Sequence, residues 1–165
     1  MKVRIVVADQ SEAAFYELEQ RDIPPQFVRR LTDPDAHLHD RDLKSDRPGR
    51  VFDHAATAGG RRGAVAHHST GGERSPRKVE ARRFARRVVQ ALDEARRQDH
   101  PYDRLVIIAP PAFLGLLREE MTPAVHTLLT AEIGKDLVHE PPEALGAYLP
   151  PGTFARHPVA REIHP

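Results

Sequence analysis

The chain has no cysteine among its 165 residues. That absence excludes disulfides, thiolate metal sites and cysteine nucleophiles together. Long apolar runs are also missing, and none approaches the roughly 20 residues that a membrane-spanning helix needs. The run Val3–Ala8, entered from Met1-Lys2 and closed by Asp9, is too short for a signal peptide. An excess of one charge is absent too: 25 Lys and Arg against 24 Asp and Glu leave a formal net charge of +1, so the molecule as a whole is no polycation. These absences lead to the expectation of a soluble, cytoplasmic protein with no membrane contact.

The length suits one domain with a real hydrophobic core. Apolar residues gather in Val3–Ala8, Ala13–Leu18, around Phe84–Leu92, and in Leu105–Ala109, Phe113–Leu117 and Ala124–Ile133, whereas Thr32–Lys78 is poor in them. The core is therefore expected from the two ends of the chain. The expected layout is an α/β domain over 1–149, with a long loop over 32–75, followed by a loose, proline-rich tail over 150–165.

Lys2–Ala8 is β-branched and continuous, as in a strand buried on both faces. Polar Asp9–Glu12 separates it from a second strand, Ala13–Leu18, which predicts a hairpin. Gln26–Leu31 reads as a third strand, at an edge. Ser75 can cap a helix with Pro76 in its first position. Val79, Phe84, Val88, Leu92 and Ala95 then form an apolar stripe to about Gln98. Arg104–Ala109 is a buried strand, Ala112–Met121 a short helix, Thr127–Ile133 the last strand, and Pro141-Pro142 opens a helix with Leu145 and Tyr148. This order predicts a single three-layer α/β domain. Its mixed five-stranded sheet would have ribonuclease-H-like topology, with a long basic loop before the main helix.

A metal-dependent nuclease needs several carboxylates converging at the sheet centre. Asp9 stands at the end of the first strand, the second central strand offers none, and nothing is placed to meet Glu80 and Asp93. His37, His39, His54, His67 and His68 match no helix-borne zinc spacing, so no metal or other cofactor is expected. No phosphate-cradling G-x-x-x-x-G-K-[ST] is present. Ser69 and Thr70 lack a recognisable base. The arginines carry the better signal. Arg61, Arg62, Arg74, Arg77, Lys78, Arg82, Arg83, Arg86 and Arg87 run from a glycine-containing loop into a helix, with Glu80 the sole carboxylate of the helix before Asp93. A merely solubilising face would place acids four residues from its bases. RNA or ribosome contact is the expected partner chemistry.

The segment Asp42-Leu43-Lys44-Ser45-Asp46-Arg47-Pro48-Gly49-Arg50-Val51-Phe52 resembles the signature of the bacterial host attachment protein family, with Asp46, Arg47, Pro48, Gly49, Arg50 and Phe52 at its heart. Val7-Ala8-Asp9, Glu80–Ala85, Leu105–Leu117 and Ile133-Gly134-Lys135-Asp136-Leu137 also resemble the family, so the likeness spans nearly everything but the tail. The family is in turn distantly similar to the middle domain of archaeal and eukaryotic class-1 release factors and of Pelota. There a Gly-Gly-Gln loop before the long helix assists hydrolysis of peptidyl-tRNA. The corresponding place here holds Gly71-Gly72-Glu73, and Phe84-Ala85-Arg86 resembles the arginine-flanked helix of those domains. Glu73 puts an anion where the release factors have a neutral amide, and phosphate would repel it. The resemblance thus implies RNA or ribosome contact without the hydrolytic chemistry. Two rival expectations stand beside it: an aminoacyl- or peptidyl-ester hydrolase with Glu73 or a loop histidine as general base, and a protein-interaction adaptor linked to host attachment.

Overall fold

The computed structural model describes residues 1–34, 75–99 and 101–154. Five strands form one mixed sheet in the order β3-β2-β1-β4-β5. Strand β1 (Val3–Ala8) is buried along its whole length, which its β-branched, unbroken sequence demands. It pairs antiparallel with β2 (Glu12–Leu18), Val3 opposite Leu18 and Ala8 opposite Ala13. The turn between them is built by Asp9, whose Oδ1 accepts the amides of Ser11 at 2.7 Å and Glu12 at 2.8 Å. Strand β3 (Gln26–Thr32) closes one edge, antiparallel to β2 with a bulge at Phe15/Tyr16. On the other side β4 (Arg104–Ala109) lies parallel to β1, and β5 (Leu129–Gly134) lies parallel to β4. The expected loop therefore begins after Thr32, which still pairs with Glu12. Residues 35–74 of that loop lie outside the described residues.

Helix α1 (Pro76–Arg96) starts as its sequence requires: Ser75 Oγ accepts the Lys78 amide at 3.3 Å, and Pro76 occupies the first turn. Its buried face is Ala81, Phe84, Ala85, Val88, Val89, Ala91 and Leu92. Val79, expected in that stripe, is instead exposed. Helix α2 (Pro111–Glu120) lies beside α1, and Phe113 stacks on Phe84 with ring centroids 6.0 Å apart. A short helix, α3 (Pro123–Leu128), takes two residues from the strand expected at Thr127, since Thr122 Oγ1 caps it by accepting the Val125 amide.

The sheet buries both faces. Val6, Ala8, Phe15, Leu105 and Ile107 pack under α1 and α2. Val3, Ile5, Val7, Tyr16, Val106 and Ile108 pack against Leu137, Val138 and Leu145 of the chain after β5. That third layer holds one short helix, α4 (Pro142–Leu145), and two tight turns, Gly146–Tyr148 and Pro151–Phe154. Looseness was expected from Pro150 onward. Thr153 is instead buried, and the buried Arg104 guanidinium donates to the carbonyls of Gly152 at 3.1 Å and Thr153 at 2.8 Å. Residues 155–165 lie outside the described residues. Among the described residues, no helix is long and apolar enough to cross a membrane.

Candidate nucleic-acid interface

Strands β1, β3, β4 and β5 share one direction and β2 alone runs against them, so Ala8, Thr32, Ala109 and Gly134 end at one edge of the sheet. From β1 the chain turns to β2 on one side, and from β4 it proceeds to β5 on the other. The crevice between the carboxyl ends of β1 and β4 is thus a topological switch point, the usual ligand position in open α/β sheets. Both α1 and α2 begin at this end. A groove of about 440 Å³ lies there, lined by Gln10, Ser75, Arg77, Lys78, Ala112 and Gly115 among others. Among the described residues, no atom stands within 4 Å of where a side chain on Gly115 would begin.

The first turn of α1 contains no acidic residue and two basic ones, Arg77 and Lys78. The positive end of the helix dipole disfavours cations there, by roughly 0.3–1 kcal/mol each at low salt. Ser75 followed three residues later by Glu or Gln would make a capping box, and this chain has Lys78 at that position. Arg77, Lys78 and the positive end of the helix dipole place positive charge along the groove, which Glu119 also lines.

Further along α1 the arginines divide. Arg82 pairs with Glu119 at 3.0 Å, and Arg86 pairs with Glu120 through Nε at 2.9 Å and Nη2 at 3.4 Å. The Glu120 carboxylate holds the Arg86 guanidinium above its already high range, first by hydrogen bonding and then by charge. The missing acids of α1 are therefore supplied by α2, across the seam between the helices. Arg82 and Arg86 thus find their anionic partners within the fold. Arg87 donates to the Thr32 carbonyl at 3.1 Å and lies over the Phe84 ring, tying α1 to the end of β3. Arg83 is exposed and lines a small cavity of about 190 Å³ with Asp33, Glu80 and Arg87. Gln10 and the acids Glu119 and Glu120 were not singled out in the sequence. Glu119-Glu120 at the end of a helix beside a basic helix was the available signal, but periodicity does not say which helix faces meet.

Arg61, Arg62, Arg74, the candidate Glu73, Gly71 and Gly72, and the motif residues Asp46, Arg47, Pro48, Gly49, Arg50 and Phe52 lie outside the described residues. The loop histidines His37, His39, His54, His67 and His68 do as well. The other matching pieces are core structure: β1, the buried turns of α1, the β4–α2 unit, and Leu137, which is buried against the sheet.

The family described as "Protein required for attachment to host cells" matches residues 4–149. The chain belongs to this family. In this host attachment family member, the matched span runs from the second residue of β1 through β2 to β5 and helices α1 to α4. An uncharacterized protein of Rickettsia prowazekii (strain Madrid E) is 35% identical over 68 residues, which cover 41% of this chain and 45% of that protein. The aligned part is thus less than half of either protein.

Proposed function

We propose that this host attachment family member is a non-enzymatic domain that contacts RNA or the ribosome through the start of α1 and the basic segment leading into it. The fold would be the ribonuclease-H-like arrangement of release-factor middle domains. The strand order β3-β2-β1-β4-β5, with β2 alone reversed and the long α1 following β3, supports that relationship. The domain would span 1–149, and the family match over 4–149 supports that extent.

One observation carries the reading: Arg77 and Lys78 occupy a helix start where electrostatics favours acids, beside an open groove at the switch point of the sheet. Local rules are broken mainly where function needs them broken. A polyanion satisfies both the cations and the dipole, and its binding should weaken steeply with salt. Arg83 extends this surface, and Arg61, Arg62 and Arg74 would extend it along the chain. Arg82, Arg86 and Arg87 act mainly within the fold, through α2 and the end of β3.

The test is a pull-down with the full chain at low salt, with and without nuclease, analysed for both RNA and protein. Ribosomal RNA in the untreated sample, with its associated proteins lost after nuclease, is the expected result. Protein partners that survive nuclease, with no RNA enriched, would establish an adaptor instead.

A further inference from the structure

We propose that Asp9, Glu12 and His139 form a binding site for a divalent transition cation of the zinc or manganese class. These residues reach one another from the end of β1, the start of β2 and the segment after β5, and one ligand atom from each lies within 4.8 Å of the other two. The site is distinct from the groove at the start of α1 and does not depend on RNA binding.

The three side chains are oriented rather than randomly adjacent. Asp9 Oδ1 is fixed by the amides of Ser11 and Glu12, which sets the plane of its carboxylate. Glu12 divides its oxygens: Oε2 accepts from Arg30 Nη1 at 2.8 Å, and Oε1 faces His139 Nδ1 at 3.7 Å. Donors of this kind behind a carboxylate are what orient ligands in metal centres. The backbone before His139 is anchored by the buried Leu137 and Val138. The imidazole itself is 84% exposed and, among the described residues, is held by no short hydrogen bond.

The spacing suits a cation better than a direct ion pair. A charge-assisted hydrogen bond would close to about 2.7–2.9 Å. Donors sharing a tetrahedral zinc at roughly 2.1 Å stand about 3.4 Å apart, close to the observed 3.7 Å. Rotation of the exposed imidazole closes the remaining distance. Two carboxylates and one imidazole without thiolate select zinc or manganese over cuprous ion, and three protein donors leave a position for water. Arg30 is the opposing charge at the site. It lies on the far oxygen of Glu12, where it reduces affinity without occupying the coordinating atom.

Zinc chloride titrated calorimetrically into the full chain at neutral pH tests this, compared with His139→Gln and Asp9→Asn. Asparagine keeps an oxygen acceptor for the turn amides, so the second variant preserves the hairpin, which circular dichroism would verify. Because the chain has ten histidines, the readout is the loss of one bound zinc, or a weakening of about 10-fold or more, in both variants. Zinc should also shift the His139 imidazole resonances in the wild type. Unchanged stoichiometry and affinity in both variants, or an unshifted His139, overturns the proposal.

Discussion

Arg104 joins the sheet to the last described turn. It is a buried cation at the first position of β4, and its guanidinium holds the carbonyls of Gly152 and Thr153. Arg104→Leu keeps an apolar stem but leaves both carbonyls without that donor inside the protein. The expected loss is about 1–3 kcal/mol in urea unfolding, the cost of buried unsatisfied acceptors. An unchanged midpoint would mean that the turn does not contribute to stability. Tyr102 offers a second residue-level test. Its hydroxyl donates to the Leu92 carbonyl at 3.0 Å, and burial, the largest cause, pushes its pKa up to about 12. A folded pKa above the unfolded value of about 10 favours the neutral phenol. Its stabilising contribution is therefore complete below pH 10 and is lost as pH rises toward 12. Wild type minus Tyr102→Phe, in a spectroscopic tyrosinate titration, should show one group ionising near pH 12. A difference centred near pH 10 would contradict the burial argument.

Helix α1 concentrates the conflict between stability and the proposed function. Its interior follows the rules: Ser75 caps it, and Phe84, Val88 and Leu92 bury fully under it. Its first turn does not. Lys78→Glu completes a capping box with Ser75 and replaces an unfavourable cation by a favourable anion. The variant should be more stable than the wild type by about 0.3–1 kcal/mol, read from urea midpoints at low salt. A less stable variant would mean that Lys78 already serves the fold. Most of α1 was legible in the sequence because cap, proline and apolar spacing all agreed. The exposure of Val79 was not, because apolar spacing alone does not reveal which turns of a helix the rest of the fold covers. The pairing of Arg82 and Arg86 was hidden for a related reason. Their acids lie 37 and 34 residues away on α2, and only packing brings those faces together.

At the scale of the whole molecule, element order followed from composition. Continuous β-branched runs marked β1 and β4, and the hairpin was legible from Asp9–Glu12. The wrapping of the second sheet face was less legible, because Leu137, Val138 and Leu145 are isolated apolar residues among prolines and charges. The same wrapping carries His139 to Asp9 and Glu12, a meeting across some 130 residues that no local spacing announces. The folded molecule changes the standing of Arg82 and Arg86, which are bound to α2, whereas Arg77 and Lys78 line the groove at the start of α1. The decisive measurement is ribosome cosedimentation at low salt of the full chain carrying Arg77→Glu, Lys78→Glu and Arg83→Glu together, in a variant verified as folded. The account predicts that wild type cosediments, that added salt releases it, and that the triple variant stays in the supernatant. Equal cosedimentation of the two proteins would contradict it.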